Sequence, residues 1–381
     1  MNFSSSDRAE AFRAEVRAFL ADHVDDEMKA RVEATGTQHD WGLHRAMAER
    51  GWIAAAWPEA YGGRGWGPWE MNVLEEELFL AGAPRDGMSL TMTATNAIRH
   101  VGSEAQQQLV IPRVLGGEIL LSLGWSEPDA GSDVAAAKTR AVRDGDEWIV
   151  NGQKMFTTMA HIASYVFLLA RTNSEVPKHQ GLTMFLVDTA APGFEVQPVH
   201  TLGGERTNVT FYTDVRVPDS MRIGEVDGGW DVMRVGLSYE HGTNWGAQLA
   251  RLVQQAGAWA ASTGRIDEPA VAERLARAAT DAEVGMLLGQ HSAWVAESGR
   301  ISDVEASMAK LFSSEALVRA AGQLVDVVGP EALLRAGQPG AVADGDLEHT
   351  FRQSVVRTIY AGSSEMQRNI VGQRGLGLPR P

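Results

Sequence analysis

The sequence of 381 residues contains no cysteine. Disulfides, thiolate catalysis and cysteine metal sites are therefore excluded, and a cytoplasmic location is the simplest expectation. Basic residues are also scarce, since 34 lysines and arginines stand against 49 aspartates and glutamates, for a formal net charge of −15. This charge disfavours non-specific binding to nucleic acid or anionic lipid. It does not exclude an anionic ligand, because one site can be locally positive within an acidic protein.

Long apolar runs and the common nucleotide and metal motifs are also absent from the sequence. No stretch reaches the roughly 18 apolar residues of a membrane span, and residues 1–22 carry no signal-peptide core. There is no G-x-G-x-x-G, no G-K-[ST] and no H-x-x-x-H. The sequence predicts a soluble protein with no metal site and with neither a membrane nor a nucleic acid as partner.

The periodicity of apolar residues divides the chain into three parts. Helical spacing holds up to about residue 117 and returns after residue 228, while short runs of β-branched and aromatic residues, separated by turn signals, lie between. A chain of this length is expected to form two or three packed units. We therefore predict an α+β multidomain protein: an N-terminal helical domain (1–119), a middle antiparallel β-barrel or sandwich (120–228) and a C-terminal helical bundle (229–381).

The individual elements follow from the same patterns. Helices are predicted near residues 12–20, 41–51, 69–81 and 105–115, and strands near 148–150, 165–170, 182–187, 194–199 and 209–217. Late in the chain, an apolar stripe at helical spacing indicates another helix: Val304, Met308, Leu311 and Phe312.

Two loops are unusual in composition. Residues 126–133 form a turn of small and acidic residues at the mouth of the predicted β domain, and residues 360–364 precede the last helix. Ser364 with Gln367 fits a capping box there, and the helix N-terminus offers N–H groups to an anion such as a pyrophosphate. Taken alone, each loop is better explained by ordinary turn and cap chemistry than by a binding role.

Five segments taken in order resemble the acyl-CoA dehydrogenase family over nearly the whole chain. They are Gly51-Trp52 with WPEAYGG at 57–63, LGWSEPDAGSDV at 123–134, VNGQKMFTT at 150–158, DVRVP at 214–218 and GSSEMQRNI at 362–370. The family fold has an N-terminal helical domain, a middle β domain and a C-terminal four-helix bundle. The resemblance therefore implies the same order of domains as the periodicity.

The resemblance also implies a cofactor, FAD, and a set of residues around it. Residues at the isoalloxazine ring would be Leu123, Trp125, Ser126, Phe156 and Thr158. Ser132 would approach the phosphates of acyl-CoA and flavin, while Ser363 and Glu365 would contact the nucleotide part of FAD. Substrate-side positions would be Ser132, His241, Tyr360, Ala361 and Gly362. For each small polar residue, a satisfied turn is the alternative.

The implied reaction is α,β-desaturation of an acyl-CoA thioester, which needs a carboxylate near the α-carbon. Most family members carry this base where the present chain has Ala361, which cannot take a proton. A second branch carries it on the first helix of the C-terminal bundle, and Glu240 aligns with that position. Glu240 is therefore the candidate catalytic base, the alternative being a solvated or ion-paired helix residue. His241 stands where an arginine is usual. It would either donate or accept a proton or have a packing or hydrogen-bonding role.

Two further departures concern the half of the FAD site that a neighbouring subunit normally completes. The usual R-x-x-F-G segment is reduced to residues 265–269, and Asp326 stands where a glutamine is usual. Branches with such features include actinobacterial steroid-type enzymes and hetero-oligomeric ones. The partners implied are an acyl-CoA, an electron-transferring flavoprotein, and either further copies of the chain in a dimer or tetramer or a paralogous subunit.

Three functions remain open from the sequence. The first is an active acyl-CoA dehydrogenase with Glu240 as base. The second is a catalytically incomplete subunit of a hetero-oligomeric acyl-CoA dehydrogenase. The third is a flavin monooxygenase or oxidase on the same fold, in which reduced flavin meets oxygen. The set of flavin-side motifs favours the first.

Overall fold

The computed structural model describes residues 7–238, 245–300 and 303–379. Helices come first, strands follow, and helices return, which confirms the predicted order. The first helices are α1 (Asp7–His23), α2 (Asp26–Thr35), α3 (Trp41–Glu49), α4 (Pro68–Ala81), α5 (Asp86–Val101) and α6 (Glu104–Leu115). The strands are β1 (Leu121–Gly124), β2 (Arg140–Asp144), β3 (Glu147–Lys154), β4 (Tyr165–Arg171), β5 (Leu182–Asp188), β6 (Phe194–His200), β7 (Arg206–Pro218) and β8 (Arg222–Ile223). The last helices are α7 (Gly229–Ser238), α8 (Gly246–Ser262), α9 (Pro269–Glu297), α10 (Asp303–Val328), α11 (Asp346–Ser354) and α12 (Ser364–Ile370).

Several ends of the N-terminal helices have a local chemical cause. Pro68 begins α4, where its missing N–H costs no hydrogen bond, and Gly82 ends it with φ 68°. Ser103 and Gln106 form a reciprocal capping box at the start of α6.

The strands form one sheet in the order β6-β7-β3-β2-β4-β5-β8, with β1 beside β4. Most pairs are antiparallel as predicted, but β1 and β2 each pair with β4 in parallel. Successive residues of β4 are buried on opposite faces, because side chains alternate along a strand. One set joins the core shared with the N-terminal helices (Tyr165, Phe167, Leu169), and the other joins a second core (Val166, Leu168, Ala170).

The long helices α8, α9 and α10 pack closely in the C-terminal part. A Cβ atom added to Gly246 of α8 would lie 2.4 Å from the backbone of Gly285 of α9, so the backbones of α8 and α9 are in direct contact there. Leu249, Leu317 and Leu324 are buried in the core of this bundle. None of the helices in the described part of the chain combines the length and apolar character that a bilayer crossing requires.

Two buried histidines predict an acid-sensitive fold. The rings of His39 and His44 lie 5.0 Å apart, and no described residue hydrogen-bonds to either Nε2. Burial lowers the pKa of His39 to about 3 and that of His44 to about 4. The folded protein keeps both rings neutral, while the unfolded chain takes up protons below the ordinary pKa of about 6.5. The free energy of unfolding should therefore fall as the pH is lowered from about 6.5 to about 4.

We expect each of these rings to account for about 1–2 kcal/mol of that loss by about pH 5. Urea unfolding of wild type and of His44→Met at about pH 7 and about pH 5 measures this. The variant should lose less stability on acidification than wild type, whereas a control at the exposed His179 (His179→Gln) should behave as wild type. An equal acid response in all three proteins would contradict the assignment.

Candidate active site

The two loops that the sequence predicts at the flavin ring lie side by side at the end of β1. Met155 N–H donates to the Ser126 carbonyl at 2.9 Å, and Ser122 Oγ donates to the Thr158 carbonyl at 2.6 Å. The chain after β1 is thereby joined to the chain after β3. Five predicted cofactor residues stand on these adjoining segments: Leu123, Trp125, Ser126, Phe156 and Thr158.

Phe156 combines a strained backbone with an exposed ring. Its φ is 59°, in the left-handed region that costs a residue with a side chain roughly 1–2 kcal/mol. The ring is nevertheless 58% exposed. Asn208 holds the loop, accepting from Thr157 N–H at 2.9 Å and donating to its carbonyl at 3.0 Å. An enforced backbone strain that presents an aromatic face to solvent is typical of a ligand contact.

His161 extends this support to the N-terminal helices. Asn208 Nδ2 donates to His161 Nδ1 at 3.2 Å, so His161 Nε2 carries the ring proton and donates to Thr37 Oγ1 at 3.0 Å. Burial, aided by Arg206, lowers the pKa of His161 to about 4. The ring is therefore neutral at ordinary pH, and this network ties the loop to the segment before α3.

Two N–H groups of the loop after β1 have no acceptor within the described chain. The Trp125 indole Nε1 is shielded from solvent and finds no hydrogen-bond partner there. No described residue accepts from the Ser126 backbone N–H either. A shielded donor without an acceptor, such as the Trp125 Nε1, is costly in a folded protein. Together with the Phe156 ring, these two N–H groups fit a polar aromatic ligand such as a flavin ring.

The second half of the candidate site is the turn before α12. Ala361 has φ 51° and Gly362 has φ 84°. Lys310 Nζ donates to the Gly362 carbonyl at 2.7 Å, and Gln367 Nε2 donates to the Ala361 carbonyl at 2.8 Å. No described residue accepts from the Ala361 N–H. The two carbonyls are thus held from the protein side, while the Ala361 N–H remains available.

The cap of the last helix differs from the predicted one. Ser363 is the N-cap, and its side chain accepts from Met366 N–H. Ser364 is the first helical residue and is buried, so a capping box of Ser364 with Gln367 does not form. Gln367 turns back to the 361–362 carbonyls instead. The Ser363 hydroxyl, with the backbone N–H of Glu365, lowers the pKa of the Glu365 carboxyl, and both residues remain candidates for nucleotide contact.

Lys310 is buried, and it lies between the 360–362 turn and Trp245. Its Nζ is 5.8 Å from the ring centroid of Trp245, whose ring is 6.1 Å from that of Tyr360. Burial lowers the pKa of Lys310 to about 8, against the opposing effect of Glu315 and Glu365.

Glu240 and His241, the predicted base and its neighbour, lie outside the described residues. Trp245 is the first described residue after them. Its ring lies next to that of Tyr360, the first residue of the 360–362 turn.

Ser132 follows Ser126 in the same connection between β1 and β2. It is exposed in the loop between β1 and β2, where Asp133 pairs with Lys178 at 2.6 Å. No described hydrogen bond links Ser132 itself to the Phe156 loop or to the 360–362 turn.

The residues that replace the usual cross-subunit contacts each carry or face a carboxylate. Arg265 donates to Glu268 at 3.0 Å and stacks over Trp259, so a phosphate would compete with this carboxylate for the guanidinium. Asp326 is an exposed carboxylate on α10, which would repel a pyrophosphate.

Sequence reasoning missed three residues that support the site: Lys154, His161 and Lys310. Lys154 and Lys310 are buried lysines, which are rare unless paired or hydrogen-bonded. The sequence could have pointed to both lysines, because each stands on the core-facing side of its strand or helix. His161 had no such signal, because its partners lie 47 and 124 residues away in the chain.

Comparison with known proteins agrees with this architecture along the whole chain. Family models of the acyl-CoA dehydrogenase N-terminal, middle and C-terminal domains match residues 6–118, 122–215 and 227–376. Acyl-CoA dehydrogenase FadE26 of Mycobacterium tuberculosis is 35% identical over all of this chain and 99% of its own length. The ChsE4-ChsE5 complex from Mycobacterium tuberculosis matches with a TM-score of 0.91 and 34% identity over all of both chains. The Tcur3481-Tcur3483 steroid ACAD matches with a TM-score of 0.92 and 32% identity, also over all of both chains.

Helical domains on either side of a β domain, with these matches in every part, define a flavoprotein oxidoreductase. The chain belongs to the acyl-CoA dehydrogenase family.

Proposed function

We propose that this chain is a FAD-dependent acyl-CoA dehydrogenase that desaturates an acyl-CoA thioester between its α and β carbons. The observation that carries the proposal is the N–H of Ala361, which no described residue accepts, in a turn whose carbonyls are held by Lys310 and Gln367. A turn that has lost its carboxylate but keeps its hydrogen-bond donor is suited to bind the thioester oxygen while the base comes from elsewhere.

The cofactor would be held by residues of the described loops. Leu123, Trp125, Ser126, Phe156 and Thr158 would surround the flavin ring, with Ser363 and Glu365 at the nucleotide part. The unpaired Trp125 and Ser126 donors and the exposed Phe156 ring support this assignment. FAD, when bound, supplies an acceptor for the hydride of the β-carbon.

Proton removal would fall to Glu240. The α-proton of a thioester is weakly acidic, so the enolate oxygen needs a donor as the proton leaves. The Ala361 N–H would provide that donor, with Tyr360 and Gly362 shaping the same turn and His241 next to the base. Ser132 would approach the phosphates of acyl-CoA, and an electron-transferring flavoprotein would take the electrons away. The domain boundaries we propose follow residues 119 and 228.

A hetero-oligomer is the second candidate. In this chain, the residues at the usual cross-subunit contacts with FAD are less favourable for binding a phosphate. Arg265 is engaged by Glu268, and Asp326 is acidic. The helices α9 and α10 also expose large apolar residues that suit a subunit interface, namely Leu287, Trp294 and Met308. Two relatives were solved as two-component assemblies, ChsE4-ChsE5 and Tcur3481-Tcur3483. A paralogous subunit would then complete the FAD site that a homo-oligomer leaves weak.

Expression of the chain alone and together with a paralogous subunit tests both candidates. Each preparation is analysed for bound flavin by absorbance and for mass by light scattering. It is then mixed without oxygen with straight-chain, branched and steroid-side-chain CoA thioesters. The steroid thioesters are included because the Tcur3481-Tcur3483 relative is named a steroid ACAD.

Yellow protein that is bleached by a thioester supports the dehydrogenase, and colour that appears only with the second subunit supports the hetero-oligomer. Protein that holds flavin but is bleached by none of the thioesters contradicts the dehydrogenase. Rapid reoxidation in air would show monooxygenase chemistry if the product is oxygenated, and oxidase chemistry if hydrogen peroxide is formed.

A further inference from the structure

A buried ion pair behind the flavin loops has no role in the proposed chemistry. Lys154 ends β3 with its side chain 0% exposed, and its Nζ lies 2.8 Å from Glu127 Oε1. The Glu127 carboxylate also accepts from the backbone N–H groups of Lys138 at 2.6 Å and Thr139 at 2.8 Å. Burying two charges gives little or no net stability compared with apolar side chains of the same size. Stability alone therefore does not account for the pair.

The third contact of Lys154 points to a role. Its Nζ donates to the Trp125 carbonyl at 3.0 Å. The next carbonyl, that of Ser126, accepts from Met155 N–H at 2.9 Å. The carbonyls of Trp125 and Ser126 therefore both accept hydrogen bonds from residues at the end of β3.

The orientation of the Trp125 carbonyl also fixes the orientation of the Ser126 N–H, because both belong to the same peptide group. In a trans peptide the C=O and N–H point in opposite directions. With the Trp125 carbonyl tied to Lys154, the Ser126 N–H must point away from the buried ammonium. No described residue accepts from it, and it belongs to the peptide between two residues that we assign to the flavin.

We propose that Lys154 is a positioning residue, whose ammonium fixes the plane of the Trp125–Ser126 peptide so that the Ser126 N–H is a preset donor to the bound flavin. The inference rests on the proposed function, since it needs FAD at these loops. A donor fixed before binding loses no free energy in reorienting, and it favours the more electron-rich reduced ring. Glu127 holds the ammonium in place rather than touching the flavin.

The test compares four proteins, each expressed in the assembly that binds FAD. Lys154→Met removes the ammonium and keeps a long side chain. Lys154→Met/Glu127→Gln also removes the carboxylate charge that would otherwise be left buried without its partner. Lys29→Met, at a lysine on α2 that forms an exposed pair with Asp26, is the control. The readouts are the FAD dissociation constant, the midpoint potential of the flavin and urea unfolding of the apoprotein.

We expect Lys154→Met to weaken FAD binding about tenfold, and reduced flavin about tenfold more than oxidised flavin. For a two-electron couple this second factor corresponds to a midpoint potential lower by about 30 mV. The double variant should regain most of the unfolding stability while keeping the lowered potential and the weaker binding. Lys29→Met should match wild type in all three readouts.

A double variant that folds and shows the wild-type affinity and potential overturns the inference while leaving the dehydrogenase standing. A double variant whose potential returns to the wild-type value together with its stability also overturns it, because Lys154 would then act on the fold alone. Wild-type protein that takes up no FAD in any assembly overturns the proposed function, and the inference with it.

Discussion

Replacement of Glu240 by glutamine is expected to leave FAD bound and to slow anaerobic flavin bleaching by about 10²–10⁴. Glutamine keeps the size of the side chain but cannot accept the α-proton. Ala361, at the position where the family usually carries its base, offers only a backbone N–H. Stopped-flow bleaching with a thioester that reduces the wild type measures the effect, and the absorbance of the purified variant reports bound FAD.

The matched control is Glu273→Gln, at a carboxylate on α9 that forms an exposed pair with Arg277. It should bleach at the wild-type rate. If Glu240→Gln bleaches as fast as the control, Glu240 is not the base, and the assignment of a single-chain desaturase is wrong.

Replacement of Lys310 by methionine is expected to slow bleaching by about 10–100-fold, since a hydrogen bond to a charged group contributes about 1.5–3 kcal/mol. Its Nζ holds the Gly362 carbonyl at 2.7 Å, one residue beyond the proposed thioester donor. Without the ammonium, Gln367 is the one described side chain that still donates to the 361–362 carbonyls, and the Ala361 N–H is less well aimed. The FAD content should remain unchanged, because Lys310 contacts none of the proposed flavin-ring residues.

Two measurements and one further variant separate this effect from simple destabilisation. Urea unfolding of Lys310→Met reports the fold, the absorbance reports FAD, and Lys310→Arg retains a cation that can donate to the same carbonyl. The arginine variant should recover part of the bleaching rate. A methionine variant that bleaches at the wild-type rate would show that Lys310 only fills space in the bundle.

The strand predictions succeeded where the pattern of β-branched residues and turns was regular, as in β3 to β7. β1 escaped notice because it is only four residues long and is almost wholly buried, so it lacks the alternation that signals a strand. α5 was also missed. Its many threonines are weak helix formers, but tertiary burial of Thr91, Thr93 and Thr95 outweighs their propensity.

α10 shows why an apolar stripe does not by itself identify a core. The predicted stripe included Met308, which is exposed in the single chain. The buried side carries small residues and the lysine, Ser307, Lys310 and Ser314. Closely packed helices need small residues at their contacts, whereas large apolar residues on the outer face suit another subunit. The sequence contains both stripes but does not say which one faces the core.

The candidate site was predictable only in part, for a related reason. The loops around Ser126 and Phe156 have recognisable local composition, so the family motifs located them. Their supports are long-range contacts: Lys310 reaches a carbonyl 52 residues away, and Lys154 reaches Glu127 across 27 residues. Pairings of that kind appear only when the fold brings the strands and helices together.

In the proposed reaction, Glu240 removes the α-proton while the Ala361 N–H binds the thioester oxygen. Exchange of the α-hydrogen in D2O tests it most directly, because exchange needs the base but no electron acceptor. The holoprotein is incubated with a CoA thioester that lacks a transferable β-hydride, and deuterium at the α-carbon is followed by mass spectrometry. We expect rapid deuterium uptake with wild type and almost none with Glu240→Gln. Equal uptake with both proteins would contradict the proposed reaction.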